Sequence, residues 1–377
     1  MKNKTLDVVI IGGGPAGTSA AIKLKQLGVE NVLLLESTNY GTIRMGESLP
    51  AEAKIVFEKL GILNNFLQEH HSPCLGNCSA WGSDQLGFND GFFNISGTGW
   101  HLDRNRFDSF MLNEAQKIGA RCLLDSQFIN AYQEKNYLVI KYKNTNGELK
   151  TINTRYAIDA SGKRSLLAKT FNIKSHYVDR LVTIAGRFQP INNSQFSHLT
   201  LLESQPQGWW YAAKLPDNSI IASVTTDAET LKLSDFKNPD TWIKQLNQTK
   251  HLSQQLKHFE FDLKSLQAYA TPSFKLAKIS GNNWLAIGDA AMTFDTITSQ
   301  GITKGLLSGS LAAKAITKNI NDETSDFSHY ESTLNVAFDN FIELRKNLYR
   351  SEQRWLSSPF WLNRERIHTQ LSNQLAS

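Results

Sequence analysis

The sequence predicts an α/β fold in which a parallel sheet with crossover helices is interrupted by an inserted antiparallel sheet and followed by a helical tail. Three observations predict it. The apolar, β-branched run 6–11 leads at once into a glycine-rich turn, a helical stretch and a second buried strand. Between residues 180 and 270 the apolar positions recur instead in short alternating runs. From Tyr330 onward the pattern is helical and aromatic.

In chain order, residues 15–27 carry Ala, Leu and Ile at helical spacing and stop at Gly28, and residues 31–35 form a buried strand ending in Glu36. That is a complete βαβ unit of Rossmann type. A helix is expected over 50–60, a loop-rich stretch over 70–99 and a second helix over 107–119. Residues 126–152 alternate as a hairpin, with Asn146-Gly147 as its turn. The runs 181–188, 209–214 and 220–225 read as antiparallel strands. Residues 283–287 return to a buried strand, before a helix over about 301–316 with small residues on one face. The expected division is therefore a nucleotide-binding domain in three pieces, 1–70, 101–175 and 273–318. A substrate-domain segment at 71–100 and the antiparallel substrate domain at 176–272 interrupt it, and C-terminal helices occupy 319–377.

Composition excludes several classes. The formal charge of +5 is scattered over 377 residues, with no basic run or aromatic-interleaved basic helix for nucleic acid. Cys74, Cys78 and Cys122 cannot all pair and fall short of a structural zinc set, so free thiols and no metal are expected. The apolar run after Lys2 and Lys4 is too short for a secretory segment, and no stretch approaches the roughly 20 apolar residues of a membrane span. A cytoplasmic protein without integral membrane contact is the expectation.

Gly12, Gly14 and Gly17 form G-x-G-x-x-G between strand and helix, with Pro15 and Ala16 opening the helix. There the backbone can turn tightly and approach a pyrophosphate at the positive helix end. Glu36, about twenty residues on, is placed to accept hydrogen bonds from an adenosine ribose. This unit alone leaves NAD and FAD both open.

Ile287-Gly288-Asp289-Ala290-Ala291 resembles the second fingerprint of FAD-dependent hydroxylases, and the resemblance implies FAD, with Gly288 at the turn and Asp289 on a ribityl hydroxyl. Ser299-Gln300-Gly301-Ile302 then opens a helix whose N–H groups, at Gln300, Gly301 and Ile302, would face the flavin pyrimidine. His101-Leu102-Asp103-Arg104 resembles the element whose arginine contacts the cofactor; the competing role for Arg104 is a surface ion pair with Asp108, four residues on. Residues 156–162 are similar to the segment returning to the FAD domain. Together these imply a glutathione-reductase-like FAD-binding domain of the single-component monooxygenase kind.

Met45-Gly46-Glu47-Ser48-Leu49-Pro50 resembles the G-E-x-x-P loop beside the flavin in tryptophan halogenases and their hydroxylating relatives. On that resemblance Glu47 and Ser48 are the catalytic candidates, Arg44 and Ser48 are cofactor contacts, and His101 and Tyr211 are weaker candidates for the substrate, with a buried, hydrogen-bonded histidine the favoured role for His101. Halogenases need a lysine after this loop, and none occurs between Lys59 and Lys117; where their W-x-W-x-I-P motif would fall, Tyr211 and Ala213 stand in the tryptophan positions. The tail, Glu352-Gln353-Arg354-Trp355 followed by Ser358-Pro359-Phe360-Trp361, resembles flavoproteins of the LodB and GoxB type, which make the cysteine tryptophylquinone of amine oxidases. Asp295-Thr296 departs from that group's Asp-Pro. A plain packing role for Trp355, Phe360 and Trp361 at the domain seam stands beside this reading.

The resemblance implies hydroxylation of a tryptophan in the precursor of a quinone-dependent amine oxidase. Molecular oxygen and a reductant, with NADH or NADPH as candidates, are the co-substrates. A small-molecule aromatic hydroxylase, an FAD-dependent isoprenoid-lipid reductase and a non-enzymatic flavin-bearing assembly partner are the competing readings.

Overall fold

The structure is a computed structural model that describes residues 5–41, 44–91 and 96–366. The parts of the expected 71–100 and 319–377 segments at 92–95 and 367–377, and Lys2 and Lys4, lie outside the described residues. The expected α/β architecture is present. Five parallel strands lie in the order Trp284–Ala286, Leu149–Asp159, Leu6–Ile11, Val32–Leu35, Arg121–Leu123. Val8, Val9, Ile10 and Leu34 are wholly buried, in one core with Ala20 and Leu24 of the helix Pro15–Gln26 and with Leu138 and Ile140 of the strand Leu138–Lys143. The helix Pro15–Gln26 packs along the helix Gly301–Asp322, where Ala16 lies against Gly305 and Gly309; this contact is the reason for the small residues on that face.

The expected hairpin is two strands of a three-stranded meander, Gln127–Gln133, Leu138–Lys143 and the long Leu149–Asp159, which carries on into the parallel sheet. Its turn is at the expected place, with Gly147 N–H donating to Asn144 O at 2.8 Å. The stretch read as loop-rich is a correction. Ser72–Cys74, Gly76–Ala80 and Gly87–Asp90 are strands there. Their composition carries no apolar alternation, and pairing holds them: Gly76–Ala80 to distant chain, where Cys78 lies opposite Leu201, Gly87–Asp90 to Gly76–Ala80, and Ser72–Cys74 to Gly99–His101.

Among the described residues the inserted sheet has seven strands, in the order Phe259–Ala270, Leu181–Pro190, Ile220–Asp227, Gly208–Lys214, Thr200–Gln205, Gly76–Ala80, Gly87–Asp90. Period-two alternation along Gly208–Lys214 decides what faces what. Trp210 and Ala212 enter a core with Trp242 and Phe236, whereas Trp209 and Tyr211 point to the opposite face, toward the C-terminal segment and Ile297. Phe360 and Trp361 complete that second cluster, with Trp355 packed against it, so the aromatic tail does pack at the seam. Trp361 Nε1–H donates to Gln205 O at 2.9 Å.

Candidate functional site

The nucleotide turn is built by steric necessity. Gly12 has φ +114°, and a Cβ there would sit 2.3 Å from Ala160 O; a Cβ on Gly17 would sit 2.0 Å from Gly12 O. The helix start that follows has Gly14 as its cap, with no side-chain cap bond and no acidic residue in its first turn. A Cβ on Gly14 would meet nothing within 4 Å. A helix end with orphan N–H donors facing open space fits a pyrophosphate. The start of Gly301–Asp322 has the same character: Gln300 gives no side-chain cap bond, and a Cβ on Gly301 would meet nothing within 4 Å. Two uncapped helix ends, opened by glycines, fit the pyrophosphate and the flavin ring of FAD.

Glu36 is buried and already engaged. One carboxylate oxygen accepts from Gly13 N–H at 2.8 Å, the other from Thr38 N–H at 2.9 Å and Thr38 Oγ1–H at 2.7 Å. It therefore anchors the glycine turn, a role that spacing alone did not reveal. Tyr40 secures the turn from the other side, donating to Gly13 O at 2.7 Å. Arg44 spans Asp108 at 2.8 Å and Glu36 at 3.3 Å. Arg104 forms the ion pair with Asp108, but not at the surface: its side chain is 13% exposed, Asp108 is wholly buried, and the guanidinium also donates to the Met45 and Gly46 carbonyls. Two arginines thus converge on one buried carboxylate and on the loop that carries Glu47 and Ser48.

That loop meets the inserted sheet. Ser48 Oγ and Tyr211 Oη are 2.7 Å apart, and Glu47 is buried beside them. Burial pushes the Tyr211 phenol well above its usual range, and the Glu47 carboxylate pushes it the same way, so Tyr211 stays protonated. The structure therefore brings together Glu47, Ser48 and Tyr211, 163 residues apart in sequence between the last two. His101 lies opposite Ser48 across the pairing of Ser48–Leu49 with Gly99–His101, but its ring is engaged with Thr200 and not with Glu47, Ser48 or Tyr211. It is wholly buried, with Nε2 2.9 Å from Thr200 Oγ1, and burial lowers its pKa to about 4.

This gives a stability prediction. His71 is lowered to about 4 as well, chiefly by burial. A histidine depressed in the fold contributes stability above its unfolded pKa and loses it as pH falls toward the folded value. Each should cost roughly 3 kcal/mol between pH ~6.5 and ~4. His101→Gln should move the acid-unfolding midpoint to lower pH in a denaturation series; an unmoved midpoint would show that His101 protonates freely in the fold.

A cleft of about 910 Å³ opens from Ser48–Pro50 and Ser299–Gln300 and runs between the inserted sheet and the helical layer. Lys304, in the first helical turn after Gly301, lines it and was missed from sequence. Its ammonium is 2.7 Å from Asp289 Oδ1, donates to Met292 O, and lies 4.7 Å from the Phe294 ring centroid. The overlooked signal was a lysine at the positive end of a helix, where it needs a carboxylate partner. Asp289 itself is 48% exposed at its side chain, and Gly288, with φ +55°, makes the turn before it. Ile302 is buried at the helix start. Among the described residues no group of three or more His, Cys, Asp or Glu is placed to hold a metal, and no helix is long and apolar enough to cross a membrane.

Residues 5–329 match the FAD binding domain family. LodB of Marinomonas mediterranea, named as an FAD-dependent oxidoreductase, is 25% identical over 365 residues, covering 96% of this chain and 97% of its own. Among solved structures, the myxobacterial chondrochloren halogenase CndH aligns with a TM-score of 0.88 at 21% identity, over 99% of this chain and 90% of that one. The peptidyl tryptophan dihydroxylase QhpG, essential for tryptophylquinone cofactor biogenesis, aligns with a TM-score of 0.76 at 19% identity, over 96% and 79%. These structural likenesses establish a shared fold.

Proposed function

The chain belongs to the FAD binding domain family and is an FAD-dependent oxidoreductase, and from that premise we propose that it is a monooxygenase acting on a tryptophan side chain of a partner protein. The partner is the precursor of a quinone-dependent amine oxidase, and the product is an intermediate of its cysteine tryptophylquinone. The observation that carries this reading is the cleft: it begins at Ser48 and Gln300, where the flavin would lie, and extends beyond that place past Leu307 to Ala337, where a ring presented by a partner chain would enter. The match to LodB over nearly the whole of both chains supports the same reading, as does the likeness to QhpG.

Bound FAD supplies the activated oxygen atom that an electron-rich ring can attack without a protein nucleophile. The protein's part is to orient the ring and keep the site dry. Arg104 and Arg44, fixed on Asp108, hold the loop that presents Glu47 and Ser48. Tyr211, protonated and bonded to Ser48, joins that loop to the substrate-side sheet. Asp289 and the Gln300–Ile302 helix start would hold the flavin end of the cofactor, and the Gly12–Gly17 turn its pyrophosphate.

Halogenation is the second reading, favoured by the close likeness to CndH. Against it, the one lysine that lines the cleft, among the described residues, is Lys304, whose ammonium is committed to Asp289 and Met292 O. The deciding experiment incubates an amine-oxidase precursor with the protein, FAD, a reductant, labelled oxygen and bromide, followed by peptide mass spectrometry. Labelled oxygen at one tryptophan is the expected result. Bromine incorporation would assign a halogenase; oxygen uptake with an unmodified precursor would move the assignment to a small-molecule hydroxylase.

A further inference from the structure

The helix Ser328–Arg350 carries a buried polar chain that belongs to neither the cofactor turn nor the cleft. Arg345 is wholly buried between two carboxylates, 3.0 Å from Asp179 Oδ2 and 3.1 Å from Asp295 Oδ2. Asp179 marks the neck of the inserted sheet. Its other oxygen accepts from Leu181 N–H at 3.3 Å, where the chain enters the sheet, and from Ser273 N–H at 2.9 Å, where it leaves. Asp295 begins the loop that ends at the Gln300–Ile302 helix start. Its Oδ1 accepts from Ile297 N–H at 3.1 Å, and its Oδ2 also accepts from Tyr349 Oη–H at 2.9 Å.

Tyr349 Oη in turn accepts from Trp209 Nε1–H at 3.1 Å. Trp209 lies on the same strand as Tyr211, which holds Ser48. Both loops expected to flank the flavin are therefore tied to one strand of the inserted sheet, one directly and one through the C-terminal helix. Phe294 stacks face to face on Phe341, centroids 4.2 Å apart, and fixes the near end of the Asp295 loop to that helix.

We infer that Arg345 and Tyr349 are positioning residues that set the Asp295–Gly301 loop against the flavin and couple its placement to the neck of the substrate-side sheet. A buried cation between two carboxylates is poor evidence for a stability device, since apolar packing would serve as well; its use is to fix one geometry. The inference rests on the placing of Gln300–Ile302 beside the flavin.

The test uses two variants of the full chain. Tyr349→Phe removes one hydrogen bond from Asp295 and the acceptor of Trp209 Nε1–H, and keeps the ring among Trp361 and Phe360. It should lower FAD affinity about tenfold, shift the visible flavin band and move the reduction midpoint, while ADP affinity, which reads only the Gly12–Gly17 end, stays unchanged. Gly301→Val, whose side chain would project into the open space at the helix start, reports whether that helix start faces the flavin at all. Both variants changing the flavin spectrum supports the inference. A change in Gly301→Val alone overturns the role of Tyr349 and leaves the helix placement standing. No change in either overturns both.

Discussion

Replacing Gly17 with alanine should yield a chain that purifies without flavin and is not stabilised by added FAD. Helix propensity alone would favour the change by about 1 kcal/mol. The steric term wins, because the new Cβ would sit 2.0 Å from the Gly12 carbonyl oxygen and 3.1 Å from the Ala160 Cβ. The clashing oxygen is backbone, on a residue that already has φ +114° and lies against Ala160 O. It cannot swing away as a flexible side chain would. The helix must instead lift from the strand, at an overpacking cost of about 1–3 kcal/mol. Lifting also carries the Ala16 and Gly17 N–H groups away from the place where they would meet the pyrophosphate. Flavin absorbance per purified chain, and the melting temperature with and without FAD, check this. Stoichiometric flavin in the variant would show that the close approach is dispensable.

What the sequence made legible follows the range of the interactions. The first βαβ unit is specified by neighbours: a run buried on both faces, a turn needing φ > 0 at Gly12, and a helix stopped at Gly28. The start of the Gly301 helix is equally local. Partners were hidden wherever they came from far along the chain. Glu36 could be placed at the end of its strand, but not its bond to Gly13. Ser48 and Tyr211 were singled out for separate reasons, and nothing in either segment says that they touch. Strands 72–90 were hidden for a different reason. Their residues are mostly small and polar, and pairing makes them strands: Asn77 lies opposite Thr200 at the edge of the inserted sheet, and Pro73 lies opposite Trp100 in a separate small sheet. Asp295 was legible only as part of a loop cadence, and Arg345, its buried partner, had no local signature, since a charged residue on an amphipathic helix ordinarily faces water.

That buried cation gives the second large effect: Arg345→Met should destabilise the fold by about 3–5 kcal/mol, more than truncating most single core side chains. Methionine fills similar space, so lost packing is the smaller part. The larger part is two buried carboxylates left without their cation, because Arg364, the other arginine nearby, is committed to Asp227. The loss should depend on pH in a definite direction. Burial raises the Asp295 pKa in the fold, and Arg345 is the foremost influence lowering it; Asp179 raises it further. Removing Arg345 lifts it again. A carboxyl whose folded pKa lies above its unfolded value contributes stability below the unfolded pKa and loses it as pH rises through the folded one. The deficit of the variant should therefore be greatest at neutral pH and shrink on acidification. The acid losses from His71 and His101 occur in both proteins and cancel in the difference. Denaturant unfolding of both proteins at a series of pH values measures it. A deficit constant across pH would assign the cost to packing; one that narrows with acid places it on the Asp179–Arg345–Asp295 charges that join the C-terminal helix to the rest of the fold.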